Sequence, residues 1–255
     1  MMVGTSSLLG KGAPAKATQV HAKASAQFAD KLAHTQALLR QAAAHGAPGS
    51  VTQASSLGAE DVVITHIINA LALDIEVFVL ETGALHTETL ALLERTQAHS
   101  CAPVRVYRPA TESVVQFIRT HGQDAMYQSI DLRKACCSIR KMQPLAQALA
   151  GKTAWITGLR REQSNARADV PAIDTSEVAT KGLTKFNPLS DWTWGDVWHY
   201  IATKGVDYNP LHDQFYPSIG CAPCTRAISL GEEFRSGRWW WEDESAKECG
   251  LHAKA

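Results

Sequence analysis

Two adjacent cysteines, Cys136 and Cys137, lie in the run Lys134-Ala135-Cys136-Cys137-Ser138-Ile139-Arg140-Lys141, with Arg133 just ahead of it. Packing alone does not explain neighbouring thiols among four cations, because nearby positive charge favours the thiolate that binds metal or attacks an electrophile. A second pair stands in Cys221-Ala222-Pro223-Cys224. Its two-residue gap lets both sulfurs face one centre from a tight turn, and the four thiols together make a complete four-thiolate ligand set. A structural zinc ion usually draws on two separated pairs of that CxxC kind. Cys136 and Cys137 depart from it: neighbouring α-carbons lie about 3.8 Å apart and successive side chains diverge, so aiming both sulfurs at one small ion strains the backbone. A 4Fe-4S cluster is a larger body with separate iron corners and tolerates adjacent ligands better. Spacing favours the cluster and leaves zinc, a disulfide or buried thiols open.

A fifth candidate thiol is Cys249, in Lys247-Glu248-Cys249-Gly250-Leu251-His252. With a histidine three residues on, it can be held as thiolate, and a mobile tail could carry it into a site and out again. An inert terminal thiol is the alternative. Anion-binding chemistry is suggested by Gly158-Leu159-Arg160-Arg161-Glu162-Gln163-Ser164-Asn165-Ala166-Arg167, since guanidinium forks bind oxyanions in bidentate fashion. A solvated loop with an internal Glu162 ion pair competes with that reading. Arg235 and Arg238 adjoin Trp239-Trp240-Trp241, a run too apolar for a free tail, which must dock. Cys101 has no partner pattern and is expected to be a small buried residue.

These residues need a scaffold, and 255 residues with 45% hydrophobic content can bury one full core. The 25 basic and 25 acidic residues cancel, so no global field recruits nucleic acid or an anionic membrane, and any anion affinity must be local. Six cysteines without a secretory leader, and no apolar run long enough to span a bilayer, suggest a soluble cytoplasmic protein. Residues 1–16 read as a loose terminus. The rest, 17–255, reads as a single α/β domain with a mobile tail from about 243.

The Ala-rich stretch from Ala17 to His45 carries Phe28, Leu32, Leu38 and Leu39 at near-helical spacing, and Gly46-Ala47-Pro48-Gly49 ends it. Ser50 to Ala54 reads as a strand, Ser55 to Asp61 as a turn, and Val62 to Leu71 as a helix. The unpaired N–H groups of such a helix start could hold an anion, although the Gly-Lys-Ser/Thr ending of a Walker loop is missing. Further strands are expected at Glu76–Leu80, Val104–Tyr107, Ala154–Thr157 and Lys185–Leu189. The intervening helices cover Leu90–Arg95, Thr111–Thr120, the cysteine segment to Ala150, and a stretch through Trp198 and Tyr200 capped by Asp191. Alternating strands and helices imply a parallel sheet with ligands at the carboxyl ends of its strands.

From about Ala47 to His252 the chain resembles the assimilatory sulfonucleotide reductases, specifically the cluster-bearing adenylyl-sulfate (APS) reductases. The cysteine quartet and the Glu248-Cys249-Gly250-Leu251-His252 terminus carry the resemblance. Ser55–Asp61 is similar to that family's modified phosphate loop and Gly158–Arg167 to its arginine loop. Leu80-Glu81-Thr82-Gly83 matches a motif that more often has Asp in second place. The resemblance implies a fold of the adenine-nucleotide alpha-hydrolase type, a parallel sheet flanked by helices, with a C-terminal segment closing over the site. It implies a 4Fe-4S cluster on Cys136, Cys137, Cys221 and Cys224, and Cys249 as the nucleophile. The substrate site would use Ser56, Leu80 and Gly83 for adenosine, and Lys141, Arg160, Arg161, Arg167, Arg235, Arg238 and His252 for the phosphosulfate. The implied reaction reduces adenylyl sulfate to sulfite and AMP. No thioredoxin-like segment lies within these residues, so a separate thioredoxin or glutaredoxin is expected to supply electrons. A 3′-phosphoadenylyl-sulfate reductase, an enzyme accepting both substrates, an adenylating tRNA-thiolation enzyme of the same fold, and a nucleotide-binding iron-sulfur sensor are the alternatives. The oligomeric state is open, a homo-oligomer included.

Overall fold

In the computed structural model, which describes residues 15–243, the apolar runs assemble into one six-stranded sheet. Strands β1 (Val51–Ser55), β2 (Glu76–Leu80), β3 (Val104–Tyr107), β4 (Ala154–Ile156), β5 (Ile173–Asp174) and β6 (Thr184–Phe186) stand in the order β3-β2-β1-β4-β6-β5. All neighbours are parallel except β5, which pairs antiparallel with β6. The expectation of a parallel sheet therefore holds for five strands. The two-residue β5 is too short to leave a periodic signal in the sequence. Chain order runs outward from β1 to β3 and then returns to β4 on the other side of β1, which puts a topological switch point between β1 and β4.

The connecting helices are α1 (Ala17–His21), α2 (Phe28–Ala43), α3 (Ala59–Ala70), α4 (Thr87–His99), α5 (Thr111–His121), α6 (Ile130–Cys137), α7 (Gln143–Leu149), α8 (Val178–Lys181) and α9 (Trp194–Lys204). Successive strand residues face opposite ways, and both directions are apolar. Val77, Val79, Ala154 and Ile156 join the large core with α2, α3, α4 and α9, whereas Phe78 and Trp155 pack with Leu145 and Ala148 of α7. That two-sided burial is why these strands read as continuous apolar runs instead of alternating ones. Among the described residues no helix is long and apolar enough to cross a membrane.

Between α6 and α7 the helix does not stop, and Ser138–Met142 forms one π-turn in which the Gln143 N–H reaches the carbonyl of Ser138. Pro144 supplies the cause. It has no N–H for the carbonyl four residues back, at Arg140, and its ring crowds that carbonyl, so the helix widens locally. The widening lies directly after the cysteine pair.

The cap of helix α9 stands two residues beyond Asp191, the residue expected to provide it. Thr193 is the cap: its Oγ accepts from the Asp196 N–H at 3.0 Å, and Asp196 returns the bond to the Thr193 N–H at 3.0 Å. Trp192 and Trp198 are buried in the core as expected. The carboxylate of Asp196 is wholly buried and also accepts from the Ser25 N–H (2.7 Å), the Ser25 hydroxyl (3.0 Å) and the Lys31 ammonium (2.9 Å). Burial would push this carboxyl up, but those donors outweigh it and hold the pKa at about 2, below its usual 3.8. A depressed carboxylate stabilises the fold above pH 3.8 and loses that contribution as pH falls toward 2, an effect of about 2 kcal/mol. Asp196→Ala should destabilise the protein by roughly 3 kcal/mol and flatten the stability profile in that acid window. Urea unfolding between pH 2 and pH 7 provides the check.

Candidate functional site

A cleft opens at the carboxyl ends of β1 and β4, where the switch point lies. Ser55, Ser56 and Gly58 of the β1 turn line one side, and Thr157 and Gly158 the other. The turn is held by Asp61 of the first turn of α3, whose carboxylate accepts the Ser56 N–H at 2.7 Å and the Ser56 hydroxyl at 2.6 Å. Leu57 adopts a left-handed backbone (φ 61°) while its side chain is buried, a conformation that needs such a staple to persist. The helix start expected to cradle an anion thus carries two buried carboxylates of its own, Glu60 and Asp61. Positive charge reaches the cleft from elsewhere.

It comes from Lys141, Arg167, Arg235 and Arg238, which line the cleft together. Lys141 stands on the π-turn. Arg167 is buried and donates to Gln163 Oε1 at 2.7 Å, while Gln163 donates to Glu60 Oε1 at 3.0 Å and to the Gly158 carbonyl at 3.2 Å. This relay fixes the guanidinium in the wall. Gly158 leaves no room for a side chain, since a Cβ there would come within 2.4 Å of Asp61 Oδ1. Arg235 and Arg238 arrive on the C-terminal segment with Phe234 and Trp239, so that segment does close one side of the cleft, as the resemblance implied. Of the three tryptophans, Trp239 is buried, Trp241 half-buried and Trp240 exposed.

The other two arginines of the loop do not line the cleft. Arg160 has no exposed surface and is committed to Glu60 (2.9 Å), Glu162 (2.8 Å) and the Trp192 carbonyl (3.3 Å), with its guanidinium over the rings of Trp194 and Phe234. Arg161 is exposed and donates to the Val170 carbonyl at 3.0 Å. Ser56 and Leu80 border the cleft, and the apolar Phe78, Leu145 and Trp155 continue its wall. Gly83 borders a second cavity instead, in a turn whose N–H is taken by Glu81 Oε1 at 2.6 Å. Glu81 also pairs with Arg108 at 3.1 Å, so its carboxylate staples its own turn. Gln163, Phe234 and the Glu60–Asp61 pair were not marked by the sequence. Gln163 stood within the quoted arginine loop and Phe234 one residue before Arg235, and nothing local set them apart.

The second cavity, about 650 Å³ in volume, is lined by Cys136, Cys137, Cys221 and Cys224. The first two sit on the last turn of α6. Cys221 is pinned to the Glu81–Gly83 turn by an antiparallel bridge to Leu85, a bond from the Ala222 N–H to the Ala84 carbonyl at 2.7 Å, and a 3.3 Å contact with the Thr82 hydroxyl. Burial pushes the Cys136 thiol up and raises Cys224 to about 11, while the neighbouring Arg140, Lys141 and Arg238 act in the opposite direction. Among the described residues all cysteines are free, and no three of His, Cys, Asp or Glu gather around one point as a single ion requires. Lys141 borders both cavities. Cys101, expected inside, is exposed. Cys249 and His252 lie outside the described residues.

With this geometry in view, residues 50–227 match the phosphoadenosine phosphosulfate reductase domain. The chain belongs to that reductase family. Among its relatives is the adenosine 5′-phosphosulfate reductase of Allochromatium vinosum, 51% identical over 205 residues that cover 80% of this chain and 79% of that one. The protein of the same name from Burkholderia cepacia is 49% identical over 199 residues, covering 78% and 79%. Of solved structures, the phosphoadenylyl-sulfate reductase of Candida auris in a phosphate complex superposes with a TM-score of 0.63 at 27% identity, over 78% of this chain and 97% of that one. The FMN adenylyltransferase of Candida glabrata shares the fold alone, with a TM-score of 0.54 at 12% identity, over 91% of this chain and 81% of that one. Membership of the reductase family decides against the adenylating alternative.

The cleft also has a titration of its own. Burial, joined by the charge of Glu60, raises Asp61 to about 6 from 3.8 against the pull of the Ser56 donors. Glu60, whose burial acts in the same sense, is instead held low by Arg160 and Gln163. A raised carboxyl stabilises the fold below pH 3.8 and loses that contribution as pH rises through about 6. Asp61→Asn can still accept from Ser56 and should remove that slope. Equilibrium unfolding from pH 4 to pH 8 would detect it.

Proposed function

We propose that the protein reduces adenylyl sulfate to sulfite and AMP in sulfate assimilation, with Cys249 as nucleophile and thioredoxin or glutaredoxin as electron donor. One juxtaposition carries the reading: a cleft with a wall of cations, at the strand ends where nucleotides bind, shares Lys141 with a cavity lined by four thiols. That this occurs in a chain half identical to proteins named adenosine 5′-phosphosulfate reductase supports it. In this reading the adenine lies along Leu80, Phe78 and Trp155, and Lys141, Arg167, Arg235 and Arg238 receive the phosphosulfate. His252 adds a further cation from the tail, and Ser56 binds at the ribose side. Gly83, Arg160 and Arg161 act around the site, shaping the turn and the loop. These cations neutralise the departing AMP, which is where charge builds up in the transition state.

The Cys249 thiolate attacks the sulfur of adenylyl sulfate. A new S–S bond forms, the S–O bond to phosphate breaks, and AMP leaves with the electron pair. The S-sulfocysteine is then resolved by a donor thiol, which attacks the Cys249 sulfur and expels sulfite. The donor's second thiol closes its own disulfide and returns Cys249 as thiolate, so the dithiol supplies both electrons. A reducing cytoplasm suits this cycle.

The four cysteine side chains suit a 4Fe-4S cluster. Their cavity is roomier than one ion bound at about 2.3 Å from four sulfurs needs, and Arg140, Lys141 and Arg238 beside the thiols offset part of the negative charge that metal-bound thiolates carry. When bound, such a cluster supplies charge and order beside Lys141 without a redox step. Anaerobically purified protein should be brown, with about four irons and four sulfides per chain. Stoichiometric zinc without acid-labile sulfide would rule the cluster out. Cys136→Ser should lose colour and thermal stability together.

Incubation with adenylyl sulfate and no donor should release a single stoichiometric burst of AMP and add one sulfite mass to Cys249. Cys249→Ser should keep the chromophore and bind AMP, yet form no adduct, whereas Cys101→Ser should change nothing. An adduct mapped to another cysteine would overturn the mechanism. Relatives about half identical to this chain are named for the unphosphorylated substrate and a solved neighbour at 27% identity for the 3′-phosphorylated one, which favours adenylyl sulfate. The ratio of kcat/KM for the two substrates tests that preference.

A further inference from the structure

The buried pair Arg133–Glu242 has no part in the chemistry above, and its geometry is specific. Arg133, on α6 three residues before Cys136, donates to both carboxylate oxygens of Glu242, at 2.9 Å from Nε and 2.7 Å from Nη2. The side chains are only 2% and 3% exposed. The same guanidinium lies 4.8 Å from the centre of the Trp239 ring and meets the Cys137 thiol. Trp239 in turn has Arg238, a cation of the cleft, 4.6 Å from its ring centre. Its backbone N–H donates to the Cys224 carbonyl at 3.2 Å, and its own carbonyl accepts the Glu242 N–H at 2.8 Å. Trp239 also has a left-handed backbone, φ 42°. For a bulky residue that conformation is strained and persists only where the surroundings over-determine it.

A bidentate buried ion pair, a cation over a ring and a strained backbone converge on four residues of chain at the root of the segment that carries Cys249. Cys249 follows Glu242 by seven residues. An extended chain covers about 3.5 Å per residue, so anchoring Glu242 confines the Cys249 sulfur to within about 25 Å of that point. Resting on the function proposed above, we infer that the Arg133–Glu242 pair is a positioning clamp. It ties the root of the nucleophile's segment to the cysteine-pair helix, and Glu242 acts on the attack through where it holds the chain. Removing an anchor widens the volume the thiol samples and lowers its effective concentration at the sulfur.

Glu242 is the side to change, because it touches none of the four cysteines through an assigned bond, whereas Arg133 meets Cys137. For Glu242→Ala we expect wild-type iron content, AMP affinity and rate of Cys249 alkylation by iodoacetamide. The single-turnover rate of S-sulfo adduct formation should fall about ten-fold or more, with kcat lowered and KM little changed. Glu242→Gln, which keeps the shape and one hydrogen bond, should fall between. Wild-type adduct rates in iron-replete Glu242→Ala overturn the clamp. So does a loss of adduct that only tracks a loss of iron in both variants. If the wild-type protein itself forms no adduct on Cys249, the underlying function fails and takes the clamp with it.

Discussion

A guanidinium with no exposed surface must be neutralised where it sits, and the arginine loop and the head of α3 are held together across the cleft by how Arg160 meets that demand. Its partner Glu60 stands at the head of α3, on the far side of the switch point from the loop that carries Arg160. The pair therefore bridges the two halves of the sheet at the place where strand order reverses. Breaking one partner of such a buried pair would leave an uncompensated charge costing about 3–5 kcal/mol, which is why both ends are held so firmly. Gln163 reads the same carboxylate and passes the constraint to Arg167. The one arginine of the loop that reaches the cleft is thus placed by one that does not.

The cysteine cavity follows a different logic, in which the backbone does the placing. A proline widens the helix after the first pair, and a short antiparallel bridge fixes the second pair against the turn after β2. Lys141 is carried on the widened turn, between the thiols and the cleft. Neither device depends on the core of the sheet, and each is local enough to be encoded by a few residues.

That division governs what could be read from the chain. The strands buried on both faces announce themselves as apolar runs, and the quartet of cysteines announces itself by type and spacing. The pairing of Arg160 with Glu60 could not be read, because the two are 100 residues apart and nothing in either neighbourhood marks the other. Counting arginines in one loop gave three candidates for the anion, while burial divides them into an anchor, a surface residue and one in the wall. The capping of α9 went to Thr193 instead of Asp191 because the choice turns on Asp196 three residues later, whose carboxylate also serves Ser25 and Lys31 far away in sequence. Cys101 was placed inside on the average habit of free cysteines, and β5 was too brief to produce any pattern.

Lys141 stands in a wall common to two cavities, and a single ammonium cannot give its full attraction to both sides at once. A negative group brought up to it in one cavity lessens what it offers in the other. Coupling of that kind is reciprocal by thermodynamic necessity: whatever factor an occupant of the cleft imposes on binding among the thiols, an occupant among the thiols imposes on binding in the cleft. The two compartments are therefore one linked system, joined through a side chain that need not move.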